Sequence, residues 1–450
     1  LPQQLHQPQF HKDSCGVGFI VNLDNKASTW LVETAISSLS RLAHRGAVAP
    51  DGKTGDGCGI LLKKPDEFLQ AIAKKSKAKL AKLYAVGCVF TSSNKTLSST
   101  ALSRLKKELR EEKLEVVLER LVPTKPEACG EEALKTLPNI YHIFVNAPKN
   151  MMEAEFERKL YIARRKTELA LETKDPSFYV ASLSAQTLSY KGMIMPQYLT
   201  TFYEDLKHPL MASSLCMFHQ RFSTNTFPEW RLAQPFRMLA HNGEINTISG
   251  NRNWSVSRES KFLSSEIPNL SDLMPLISKD GSDSMSLDNM LEALVMTGVD
   301  ILHAMRILVP PAWQNSTSMD PKLKAMYEFY SLDMDPWDGP AALSFTDGNY
   351  AACALDRNGL RPARYVITKD RHLTVASEIG VYDYAPEDVV TKGRLKPGEM
   401  LAVDLRQHKL LLTSDIDAQL SSKYPYREWL EEHTRYLKPI PEEEEPGCDP

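Results

Sequence analysis

Four short polar clusters carry the residue types that acyl-transfer chemistry needs. The first is Cys15, at the rim of the apolar run Gly16-Val17-Gly18-Phe19-Ile20 and preceded by Asp13-Ser14. A thiolate is a nucleophile for such chemistry, and the glycines at 16 and 18 are expected to clear space around it. A cysteine packing as a small hydrophobe is the structural alternative. The second cluster, Gln220-Arg221-Phe222-Ser223-Thr224-Asn225-Thr226, ends an apolar run with an arginine followed by hydroxyl and amide side chains. A guanidinium fork fits a carboxylate bidentately; a surface ion pair is the alternative. The third, His241-Asn242-Gly243-Glu244-Ile245-Asn246, can aim one side-chain amide and one glycine N–H at a single point, as an oxyanion hole requires. A plain Asn-Gly turn uses the same residues. The fourth, Gly281-Ser282-Asp283-Ser284, places an aspartate ahead of Leu287, Met290, Leu291 and Leu294, where a helix N-cap is the alternative.

These clusters need elements to hold them. Phe19 to Leu23 reads as a strand, and from Thr29 the apolar positions Leu31, Val32, Ala35, Ile36, Leu39 and Leu42 recur at helical spacing, with Gly46 as a C-cap. Tyr84–Thr91 and Tyr141–Asn146 read as strands flanking a helix with Leu102, Leu105 and Leu109 on one face. A second helix is expected over about 151–173, its basic cluster Arg164-Arg165-Lys166 forming a solvated face. From Phe178 short β-like runs dominate: 178–183, 214–222, 236–241, 341–345, 351–355, 365–367 and 373–376, with a helical interval from 286 to 308. Asp347-Gly348 and Asn358-Gly359 supply tight turns. Closely spaced strands with short turns favour antiparallel sheets, and helices bracketing two of them give an α+β, four-layer αββα sandwich. Thr54-Gly55-Asp56-Gly57-Cys58-Gly59 lacks the Gly-Lys-Ser/Thr ending of a phosphate loop and reads as a turn.

Composition removes several classes of function. Net charge is −3 over 450 residues, so no basic field recruits nucleic acid or an anionic membrane. No apolar run reaches the roughly 18 residues of a membrane span. Seven scattered cysteines without Cys-x-x-Cys spacing point to reduced thiols in a cytosol-like compartment, and away from disulfides, zinc or an iron–sulfur site. Residues 1–14 read as an extended arm, and 426–450, with Pro441-Glu442-Glu443-Glu444-Glu445-Pro446, as an acidic linker.

Taken in order, Cys15-Gly16-Val17-Gly18, His44-Arg45-Gly46, Thr54-Gly55-Asp56-Gly57, Phe218 to Thr226, His241 to Thr247, Gly281 to Ser284, Pro310-Pro311-Ala312-Trp313-Gln314 and Asp356 to Pro362 resemble the class II glutamine amidotransferases. These belong to the N-terminal-nucleophile hydrolases. Within them the chain, over about residues 8–440, is similar to the amidotransferase domain of the glutamate synthase large subunit. The resemblance implies that Cys15 attacks the side-chain amide of L-glutamine, its own α-amino group serving as base once residues 1–14, a pro-segment, are removed. It implies that Asn242 and Gly243 hold the oxyanion, Arg221 the α-carboxylate and Asp283 the α-ammonium. Thr224 and Asn225 belong to a substrate loop from Phe222 to Trp230. Other branches often carry Trp and His where this chain has Phe222 and Asn225, which supports the glutamate synthase branch. The implied domain is 15–425, and its partners are the synthase region of the same polypeptide and a reductase subunit. FMN and an iron–sulfur cluster are expected in that full-length enzyme and no cofactor in this chain. The location implied is cytoplasmic, or plastidic in a plant or alga. A non-catalytic regulatory or ammonia-gating module is the alternative function. A phosphoribosyl-type transferase would need a phosphosugar site, and the chain carries no matching acidic-apolar signature after residue 400.

Overall fold

The computed structural model of the chain describes residues 15–221 and 226–435. Its strands are β1 (Gly16–Asn22), β2 (Thr54–Lys63), β3 (Tyr84–Thr91), β4 (Glu115–Leu121), β5 (Asn139–Asn146), β6 (Tyr179–Ser184), β7 (Thr187–Ile194) and β8 (Leu215–Gln220). They continue as β9 (Leu239–Gly243), β10 (Ala341–Thr346), β11 (Tyr350–Leu355), β12 (Arg364–Thr368), β13 (His372–Ala376), β14 (Val389–Arg394), β15 (Met400–Asp404) and β16 (Lys409–Leu411). Seven of them form one sheet in the order β14-β12-β13-β1-β8-β2-β7, and five another in the order β16-β15-β11-β10-β9. Neighbouring strands in both run antiparallel.

The two-residue period of a strand sorts its side chains between layers. Val17, Phe19 and Val21 of β1, with Leu215 and Met217 of β8, point into the seam between the sheets. There they meet Ala240, Ala342, Ala351, Cys353 and Leu355. The alternate residues Ile20, Cys216 and Phe218 face outward against Leu31, Val32, Ala35, Leu39 and Leu42 of the helix Thr29–Arg41. That helix begins where the Ser28 side chain accepts from Leu31 N. On the far side, Leu239, Leu343 and Phe345 face Leu287, Met290 and Leu291 of the helix Asp283–Met296. These contacts make the αββα sandwich. Because β1 is buried on both faces, its sequence reads as an unbroken apolar run, with no polar alternation.

Several expectations change. A third sheet, β4-β5-β3-β6, stands beside the sandwich with its own core, built from Ala85, Val89, Ile143 and Val180 against Leu102, Leu105, Phe156 and Leu160. Thr54–Gly59 is the start of strand β2 and not a turn. Its glycines accommodate neighbours: a Cβ at Gly59 would collide with the Lys191 side chain and the Gln234 carbonyl. The glycines of β1 serve packing too, since a Cβ at 16 would meet Leu42 at 2.9 Å and one at 18 the Phe218 ring at 2.7 Å. The space they leave belongs to the helix and to β8, and the expectation that it surrounds the thiol is not met. Gly46 is not the C-cap of the Thr29 helix, which closes at Leu42; it lets the Gln220 side chain pass.

The basic cluster on Glu153–Leu171 is not a solvated face, because Arg164 is buried and its guanidinium pairs with Glu168 and Glu292, each at 2.6 Å. The helical interval 286–308 is two helices, Asp283–Met296 and Ile301–Leu308, parted at Gly298, whose φ is +94°. Past residue 425, where a linker was expected, Tyr426–His433 is a helix with Tyr426 buried against Phe329. Residues 1–14 and 436–450, with the arm and the acidic run, lie outside the described residues.

Candidate active site

The four clusters converge at one open end of the seam between the sheets. Cys15 directly precedes β1 and shares the parity of Val17 and Phe19, the residues that face the seam. Arg221 follows β8 with the parity of Met217 and His219, and β8 pairs directly with β1, Gly16 opposite Gln220. Gly243 ends β9, and Asp283 is the first residue of the helix packed on β9. A cleft of about 380 Å³ is lined by Cys15, Arg221, Gly243 and Asp283 together, with Gln234, His241, Ile245 and Arg252 among its other walls.

Each group is held by specific contacts. Arg221 is buried; its backbone N donates to Gly57 O at 2.9 Å, its Nη1 to Asp56 O at 3.2 Å, and its Nη2 to the Thr226 hydroxyl. Burial pulls its guanidinium below the usual range, opposed by the charges of Asp56, Cys15 and Asp283, so the arginine lies within electrostatic reach of both the thiol and the aspartate. Gly243 has φ +120°, and a Cβ there would fall on the carbonyl oxygen of Pro340. Only glycine tolerates that approach and that backbone. Asp283 is not the N-cap: Ser282 is, accepting from Met285 N at 3.1 Å. The Asp283 carboxylate instead accepts from Ile245 N at 2.8 Å and Ser284 N at 2.7 Å.

Asn242 is buried on β9 with the parity of Ala240, so it faces the seam that Cys15 also faces. Among the described residues its Oδ1 has no hydrogen-bond partner, and Asn242 is not among the residues lining the cleft. Thr224 and Asn225 lie outside the described residues. Two cleft residues had no signal in the sequence. Gln234 accepts from His241 N at 2.8 Å through its Oε1. Arg252 donates to Gly281 O at 3.0 Å and to Ser286 Oγ at 2.9 Å, bracing the turn that presents Asp283. His241, by contrast, sits in the Asn-Gly motif, and adjacency alone could have flagged it. His219 Nε2 donates to His241 O at 3.0 Å, and burial holds that imidazole neutral, pulling it down to about 3.

Among the described residues no three His, Cys, Asp or Glu side chains gather as a metal-ligand set. Burial pushes the thiols of Cys88, Cys129 and Cys353 up to about 12, which suits packing and not ligation.

A family model described as class-II glutamine amidotransferases matches residues 15–429, beginning at Cys15 itself. The large chain of an NADPH glutamate synthase from Bacillus subtilis is 40% identical over 445 residues, covering 98% of this chain and 29% of its own length. A ferredoxin-dependent glutamate synthase from Synechocystis is 42% identical over 425 residues, covering 93% of this chain and 27% of its own. The chain thus spans under a third of the relatives it matches. A solved structure described as the allosteric regulatory enzyme of purine biosynthesis aligns with 87% of the chain and 47% of its own, at 14% identity and a TM-score of 0.37.

Proposed function

The chain belongs to the class-II glutamine amidotransferases, and from that premise we propose that it performs the glutaminase half-reaction of a glutamate synthase. One observation carries the reading: Cys15, Arg221, Gly243 and Asp283 line one cleft. A fork of donors at one wall and a carboxylate at another suit the α-carboxylate and α-ammonium of L-glutamine. The side-chain amide then lies toward Cys15.

In this reading the Cys15 sulfur bonds to the amide carbon as its proton passes to the base, and the C=O π electron pair moves onto oxygen. The Gly243 N–H and the Asn242 side-chain amide stabilise that oxygen. The C–N bond then breaks, ammonia leaves with the proton delivered to its nitrogen, and water hydrolyses the thioester to glutamate. The base is the α-amino group of Cys15, freed when residues 1–14 are removed, because an amide nitrogen is not usefully basic. Thr224 and Asn225 contribute to glutamine binding in the same reading. The ammonia passes to the synthase region of the parent polypeptide, to which FMN, the iron–sulfur cluster and any reductase subunit belong. A cytoplasmic or plastidic location suits reduced cysteines.

Glutamate release from L-glutamine, with a glutamine-analogue electrophile as the label, tests the proposal. The processed protein, with Cys15 as its first residue, is expected to release glutamate and take up the label, and Cys15→Ala to do neither. A processed protein that is folded yet inert to both substrate and label would leave the ammonia-gating module as the better reading.

A further inference from the structure

Ser284 is the point at which three cleft side chains meet. Its Oγ lies 2.8 Å from His241 Nδ1, 3.2 Å from Asp283 Oδ1 and 3.4 Å from Gln234 Nε2. Ser284 and His241 are buried, and each lines the cleft. Proton counting fixes the direction of the chain. Gln234 Nε2 can only donate, and a carboxylate can only accept. The His241 Nε2 is buried without a partner among the described residues. A bare lone pair there costs less than a buried N–H with no acceptor, so the ring proton belongs on Nδ1 and donates to Ser284 Oγ. The single hydroxyl proton of Ser284 is then left for Asp283 Oδ1.

That proton completes the fixing of the carboxylate. Oδ1 takes Ser284 N and Ser284 Oγ, while Oδ2 takes Ile245 N and keeps one acceptor direction. Ile245 stands two residues beyond Gly243, so the same carboxylate ties the aspartate to the end of β9. We propose that Ser284 is a positioning residue that, backed by His241 and Gln234, aims Asp283 Oδ2 at the α-ammonium of the bound amino acid and so sets selectivity for it. The proposal rests on the glutamine-site reading above.

The test measures binding in the full chain, by protection of Cys15 from iodoacetamide, with two ligands that are not hydrolysed: L-glutamate, and glutarate, which lacks the α-ammonium. In the wild type L-glutamate protects at lower concentration than glutarate. Loss of one hydrogen bond to a charged group is worth about tenfold in affinity. In Ser284→Ala the advantage of L-glutamate is therefore expected to shrink about tenfold with glutarate protection unchanged, while the melting temperature falls because the buried His241 and Gln234 N–H groups lose their acceptor. Asp283→Ala is expected to abolish the advantage. Equal weakening of both ligands in Ser284→Ala, or an undiminished preference for L-glutamate, overturns the proposal while leaving the glutaminase reading intact. A wild type that neither ligand protects overturns that reading itself.

Discussion

Replacing Gly243 by alanine tests the backbone half of the proposed oxyanion hole. The new Cβ falls on the Pro340 carbonyl oxygen, which also receives Glu244 N at 3.3 Å, so the β9–β10 ladder at Gly243 opposite Ala341 must open. Relief of such an overlap takes a shift of about 1 Å, and a misplacement of that size costs a catalytic group about 100-fold. Loss of one oxyanion donor gives the same scale, about 2.7–4 kcal/mol or roughly 10²–10³ in kcat. Holding alanine at φ +120° adds about 1–3 kcal/mol of strain to the folded state. Steady-state glutamate release on the processed protein is the assay, with thermal melting alongside. Gly243→Ala is expected to lose kcat at nearly constant KM, to melt lower, and still to be alkylated at Cys15. A kcat within about twofold of wild type would refute the placement of Gly243 at the oxyanion.

Asn242→Ala should also act on turnover, by about 2.7–4 kcal/mol, which single-turnover thioester formation would measure. Arg221→Lys loses the fork that faces the cleft and should raise KM for glutamine with a smaller change in kcat, read from initial rates. Glu292 receives both Arg164 and Arg237 in the interior, at 2.6 and 2.9 Å. Glu292→Ala takes one carboxylate from each of two buried guanidinium groups, leaving Arg164 with Glu168 and Arg237 with Asp288 and Glu168, and should cost about 3–5 kcal/mol in denaturant unfolding. Burial lifts the Glu157 carboxyl to about 7. The folded chain holds that proton more tightly than the unfolded one. Its stabilising contribution is thus full below the ordinary carboxylate range and lost as pH rises toward 7. Glu157→Gln should flatten that part of the stability–pH curve, measured by melting between pH 4 and 8.

The identity of the chemical groups was legible in the sequence because each cluster is contiguous: Cys15 beside its glycines, Asn242 beside Gly243, Asp283 after Ser282. Strands β1, β8, β9, β10, β11, β12 and β13 were legible as well, since burial on one or both faces leaves a local apolar pattern. Strand β2 was not, because glycines chosen for close approach of Lys191 and Gln234 look like a turn. Arg164 read as solvated because its partner Glu292 lies 128 positions away. What only the tertiary structure decided is convergence. Pairing of β1 with β8 brings Arg221 to Cys15, and packing of the Asp283 helix on β9 brings the carboxylate to Gly243. Gln234, Arg252 and the Ser284 junction exist only as hydrogen bonds across those contacts. Local sequence sets which atoms can donate, accept or attack, but the distances between them come from long-range strand register and side-chain packing, which no short motif contains.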